Sequence, residues 1–292
     1  MLQKATNAKQ ANEEAKELEL IKLAVASAKL AGEGTITKEN LESELKINFN
    51  DNIITISEIE DGWSYNSYKI YKNGEVDKLL PKGYQQVEYI ESTGIEYIDT
   101  GIIPQNGFGF WIDVMPLTEI SKNAMSSKIF GTSKKNNGHW GGVELATYPV
   151  NPTGQLSWFE KNAVYDPGFQ SYTRCQMSDI NNIFESSTGK KYNTPFITNS
   201  EIAGNLYLFA INTEEGVYAN GLGTRLYGCK LYDNGEIVRN FIPCYSTTSV
   251  IDVDVVEQPK DTVGLYDLVE GKFYTNANTA ESAVDFTPGP EV

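Results

Sequence analysis

The chain has 292 residues, beyond the usual single-domain size of roughly 100–200, so two domains are expected, the larger able to bury a full core. Its 24 Lys+Arg against 39 Asp+Glu give a net charge of −15, and no basic stripe is present, so a polyanion is repelled and nucleic acid is excluded as a partner. No run of about 20 apolar residues exists, and Met1-Leu2-Gln3-Lys4 lacks the basic-then-apolar layout of a secretory signal, so the sequence alone reads as soluble and untargeted.

In chain order, Ala8, Ala11, Ala15, Leu18, Ile21, Val25 and Ala28 recur at three and four, which predicts an amphipathic helix of roughly 30 residues, about 45 Å long. It starts with the chain, without an N-cap, as if a longer helix had been cut. Gly32 and Gly34 are expected to end it, and Thr37 to cap a short second helix through Leu45. Three strands are predicted next, over residues 52–59, 62–65 and 67–71, with Lys72-Asn73-Gly74-Glu75 as a turn. A sheet of that size covers one face of one helix. Leu18, Ile21 and Val25 are expected beneath it, with the Ala-rich start of the helix running past its edge.

Leu79-Leu80-Pro81-Lys82-Gly83 is too short and too poor in Gly/Ser for a flexible linker. The domain boundary is therefore placed there, giving domains 1–79 and 80–292. After it, short strand-like runs alternate with Gly, Asn, Pro and Asp over residues 86–90, 109–114, 127–131, 206–211, 224–232 and 236–243, the pattern of an antiparallel sandwich. Residues 139–200 read as irregular and rich in aromatics, the kind of long loop in which recognition resides.

Cys175, Cys229 and Cys244 have neither disulfide-framework nor zinc-site spacing. A two-residue Asn234-Gly235 hairpin pairs positions summing to 469, which sets Cys229 opposite Asn240 and Cys244 opposite Arg225. The two thiols are then on the order of 13 Å apart, so free, mostly buried cysteines are predicted.

Two resemblances carry the reading further. Gln3-Lys4-Ala5-Thr6-Asn7-Ala8-Lys9-Gln10-Ala11 and Glu19-Leu20-Ile21-Lys22-Leu23-Ala24-Val25-Ala26 resemble the region after the hydrophobic N-terminal segment of type IV pilin-like proteins of Gram-positive bacteria, covering roughly residues 2–78. That likeness implies an α+β pilin-like domain, a long N-terminal helix plus a small antiparallel sheet. It also implies a removed leader and apolar segment as the only membrane contact, and packing on other pilin subunits through Ala5, Ala8 and Ala11.

The second covers about residues 80–292. Leu80-Pro81-Lys82-Gly83-Tyr84-Gln85-Gln86-Val87-Glu88-Tyr89-Ile90, Cys229-Lys230-Leu231-Tyr232-Asp233-Asn234-Gly235, Arg239-Asn240-Phe241-Ile242-Pro243-Cys244 and Val263-Gly264-Leu265-Tyr266-Asp267-Leu268-Val269-Glu270-Gly271 are similar to a concanavalin A-like, laminin-G-like module. It implies an all-β jelly-roll sandwich on a surface protein. The joint expectation is an extracellular, pilus-borne minor pilin or adhesin, not an enzyme, whose head takes a carbohydrate or a surface protein.

His139 is the only histidine, which removes a Ser-His-Asp triad and most histidine metal sites. Flat rings stack on apolar sugar faces, so Trp140, Tyr148, Trp158 and Tyr165 with Asp166 are the candidate ligand-binding residues, core packing being the alternative for each ring. Glu144, Glu160 and Asp166 could supply paired carboxyls for glycoside cleavage, but they read as solvated loop acids. No cofactor is expected. Asp99, Asn136, Asn137 and Asp166 offer hard oxygens for calcium, with turn formation as the competing role.

Overall fold

The computed structural model describes residues 2–117, 128–136, 139–148, 155–158, 172–194, 202–219, 223–251, 257–280 and 284–292. Over 2–15, 135–136, 139–142, 146–148, 155–158 and 251 it describes the backbone path alone. The chain forms two compact units, Met1–Lys82 and Gly83–Val292.

In the first unit α1 spans Leu2–Ala31 and α2 spans Lys38–Phe49. Gly34 N–H donates to Lys29 O and Glu33 N–H to Leu30 O, so α1 ends in a paired-carbonyl cap whose left-handed residue is Glu33, at φ 51°, flanked by the two glycines. Thr37 caps α2 by accepting from Asn40 N–H, while Asn40 Oδ1 accepts from Thr37 N–H. Strands β1 (Ser57–Ile59), β2 (Gly62–Tyr65), β3 (Tyr68–Tyr71) and β4 (Val76–Lys78) form an antiparallel meander in that order. Ile21, Ala24, Val25 and Ala28 of α1 and Leu41 and Leu45 of α2 bury with Ile54, Ile56, Trp63, Tyr68 and Ile70. Two expectations change here. The predicted strand over 52–59 is reduced to its last three residues, because Ile54 and Ile56 insert into the core from an extended segment without a ladder partner. A fourth strand, β4, is present beyond the three predicted.

Among the described residues, the regular elements of the second unit are all strands. They begin with β5 (Tyr84–Gln86), β6 (Ile90–Ser92), β7 (Ile98–Asp99), β8 (Phe108–Pro116), β9 (Lys128–Asn136), β10 (His139–Tyr148) and β11 (Gln155–Trp158). There follow β12 (Cys175–Ile180), β13 (Ile183–Ser186), β14 (Lys191–Asn193), β15 (Tyr207–Leu208), β16 (Ile211–Thr213) and β17 (Gly216–Tyr218). The last are β18 (Thr224–Asp233), β19 (Glu236–Ser246), β20 (Val250–Ile251), β21 (Glu257–Gln258), β22 (Val263–Asp267), β23 (Lys272–Tyr274) and β24 (Thr287–Pro288). The larger sheet runs β14-β13-β12-β8-β18-β19-β22-β23 and the smaller β11-β10-β9-β15-β7. Their inward residues, such as Phe110, Ile112 and Leu231 from one and Phe130, Val143 and Leu145 from the other, share one core, with Phe110 and Phe130 edge to face at 4.9 Å. The unit is thus a β-sandwich, antiparallel among the described residues except where β16 runs parallel to β9.

The stretch 139–200, read as irregular, contains β10 to β14. The hairpin register also differs from the simple count. An extra residue in β19 shifts the pairing between Leu231 and Tyr232, so Cys229 faces Phe241 and not Asn240. Cys244 faces Gln86 and Gly264 and not Arg225, because β19 has by then passed from β18 to β5 and β22. All three cysteines are free and buried, and burial pushes the thiols of Cys229 and Cys244 far above their ordinary range.

Candidate ligand-binding surface

The strand positions of three predicted ring residues are defined by register. Trp140 lies opposite Lys135 at the start of β10, Tyr148 opposite Gln155 at its end, and Trp158 on β11 opposite Leu145. Positions 140 and 145 are about 17 Å apart along a strand, so the backbone does not gather Trp140 and Trp158 into one cluster. Tyr165 and Asp166 lie outside the described residues, as do Glu160 and Asn137. Ala5, Ala8 and Ala11 lie on α1, where the backbone alone is described.

Glu144 is not a loop acid. It sits in β10 between inward Val143 and Leu145, and its carboxylate receives Lys128 Nζ of β9 at 2.5 Å, with both side chains largely buried. The Tyr218 ring lies 5.4 Å from the same ammonium. The pair joins β9 to β10 across the register of their ladder.

Asp99 occupies an outward position of β7 directly opposite Tyr207 of β15. Its Oδ1 accepts from Gly101 N–H at 2.9 Å and its Oδ2 from Asn205 Nδ2 at 3.2 Å, so this calcium candidate is engaged as a turn former. Among the described residues, no group of three or more His, Cys, Asp or Glu is arranged to hold a metal. Tyr97, two residues before Asp99, stacks on Tyr207 with centroids 4.9 Å apart and ring planes 23° from parallel. Both rings are half-buried. Both hydroxyls titrate above the ordinary tyrosine range, from desolvation first and the Asp99 charge second. The result is a partly open double ring flanked by a carboxylate and an amide, anchored by Asn276 Oδ1 accepting from Tyr97 N–H. Sequence reasoning missed both tyrosines. The outward alternation of Tyr97 and Asp99 around buried Ile98 was readable, but their meeting with Tyr207, 110 positions on, depends on long-range pairing.

A second surface covers the outer face of the larger sheet. Arg174 forks onto Asp113 with two 2.9 Å bonds and stacks on Tyr227 at 3.8 Å. Arg225 pairs with Glu91 at 2.8 Å and stacks on Tyr89 at 4.3 Å. Trp111 lies over Gly228, where an added Cβ would meet its ring at 3.3 Å. Tyr227 is the extra residue where the β18 register shifts against β8, between Leu226 and Gly228.

A third polar group is structural. Asp267, with no exposed surface, accepts from Asn240 N–H and Val269 N–H on Oδ1 and from Glu270 N–H on Oδ2, with Arg239 at 3.5 Å and Glu270 bonded to the Tyr274 hydroxyl. It closes the β22–β23 turn and pins β19 to it.

No family model, no curated protein and no solved structure matches the chain.

Proposed function

We propose that the chain is a surface-displayed, pilin-like adhesin whose β-sandwich, of the concanavalin A-like kind, binds a carbohydrate and carries out no catalysis. The observation carrying this reading is the stacked Tyr97–Tyr207 pair beside Asp99 and Asn205, which joins a flat apolar surface to directional hydrogen-bonding groups. In the first unit, Leu23 and Leu30 lie seven residues apart on α1 and are 55% and 81% exposed, on a different stripe from buried Ile21, Val25 and Ala28. Seven residues is two helical turns, so a second apolar stripe is available to neighbouring subunits, continuing the role assigned to Ala5, Ala8 and Ala11. No described helix is long and apolar enough to cross a membrane.

A glycan array probed with the full chain, with and without calcium, tests the lectin role. Binding of a defined glycan that Tyr207→Ala abolishes is the expected result, and binding to no glycan removes the reading. A second reading, docking of a surface protein, is favoured by the outer face of the larger sheet. There Trp111, Met115, Tyr89, Tyr227 and two arginines give the aromatic, Met and Arg composition of protein interfaces.

A further inference from the structure

At one end of the sandwich an open hollow of about 230 Å³ is lined by Asn106, Gly107, Phe108, Asn181, Asn182 and Asn234. It lies where two tight hairpins come together. Asn181 and Asn182 form the two-residue turn between β12 and β13, with φ of 56° and 60°, and Asn234 and Gly235 form that between β18 and β19, with φ of 50° and 84°. Two successive left-handed residues favour asparagine and glycine, which accounts for the turns but not for their meeting. The hairpins are locked together. Asn234 N–H donates to Gly107 O at 2.9 Å, and an added Cβ on Gly107 would fall 2.3 Å from Asn234 Oδ1.

The chemistry of the wall is narrow. Four of the six lining residues are asparagines, none is charged, and Phe108 contributes a mostly buried ring. Among the described residues the side-chain amides of Asn106, Asn181 and Asn182 take no protein hydrogen bond, and Asn234 Nδ2 donates to Asp233 Oδ1. Each amide offers two donors and an acceptor on one planar group, the arrangement that matches adjacent hydroxyls of a polyol. Thr194 is bound through its N–H to the carbonyl of the lining residue Asn182, and its buried hydroxyl has no partner among the described residues. An uncharged wall gives an ion no counter-charge to repay its desolvation.

We infer that this asparagine-lined hollow is a second binding site, for one neutral, multiply hydroxylated ring such as a single sugar residue. It shares no residue with the Tyr97–Tyr207 pair and stands whether or not that pair binds. The volume lies just below the range of drug-sized sites, and the mouth is open, so affinity on the order of millimolar is expected.

The test is a ¹H–¹⁵N titration of the full chain with methyl mannoside, methyl galactoside and methyl N-acetylglucosaminide, and with citrate and spermine as charged probes. Saturable shifts of the Asn181 and Asn182 side-chain amides with at least one glycoside, and none with the charged probes, are expected. Asn182→Gly retains the left-handed turn and removes the amide, so it should weaken that glycoside at least about fivefold while Tyr207→Ala leaves it unchanged. No saturable shift up to about 100 mM overturns the inference, as does equal response to citrate or spermine, or a response that follows Tyr207→Ala and ignores Asn182→Gly.

Discussion

Asp267 has no exposed surface, and burial raises its pKa against the lowering effect of three backbone N–H donors and Arg239. The native state therefore holds a proton on this group more readily than the unfolded chain does. Its stabilising share is present at pH below the ordinary carboxylate range and is lost as pH rises through the raised native value. Asp267→Asn should flatten that part of the pH dependence of the thermal midpoint, and lower the midpoint at neutral pH by turning an N–H donor toward an N–H donor. Parallel pH curves for the two proteins would refute this. At the same scale, Cys229 and Cys244 are raised thiols and Cys175 is buried, so a thiol reagent at pH 8 should label none in the native protein and all three after denaturation. Glu33 occupies a left-handed position that glycine adopts without strain. Glu33→Gly should stabilise the first unit by about 1 kcal/mol, read as a higher midpoint for its transition.

Among the elements, the cap of α2 and the longest strands were legible because local chemistry decides them. Thr37 followed by Asn40 is such a case, and Phe110, Ile112 and Val114 alternate inward along β8. Thr37→Ala should destabilise the first unit by about 1 kcal/mol, read as a lower thermal midpoint for its transition, with Thr37→Gly costing less. Elsewhere the local signal was weak or pointed elsewhere. In β10 the pair Gly141-Gly142 interrupts the alternation that Val143, Glu144 and Leu145 then resume, so the segment resembled a loop. In β4 three residues with one apolar side chain give no period to read. Ile54 and Ile56 gave a strand signal through burial alone, because inward alternation in an extended chain does not require a ladder. The asparagine hollow was half visible. Asn234-Gly235 announced its turn, but nothing local said that a second turn 53 positions away would stand beside it.

Over the whole molecule, two apolar clusters share no residue, thirteen buried side chains in the first unit and twenty-five in the second among those described. Smaller domains bury a smaller share of their surface and are less stable, so the first unit should melt first. Leu41, with no exposed surface, packs in the smaller cluster. Calorimetry on Leu41→Ala should lower the first transition by on the order of 10 °C and leave the second in place, whereas an equal shift of both would show one cooperative block.

The surplus residue in β19 acts on partners far along the chain. Downstream of it Phe241 stands opposite Cys229 with its ring fully enclosed, and Arg239 stands opposite Leu231, where its guanidinium reaches Asp267, Glu270 and the Thr100 carbonyl. A side chain's face alternates with each step along a strand, so this single unmatched position sets the phase for everything that follows. Excising it would behave like a frameshift written in space: each later residue keeps its identity and arrives on the wrong side.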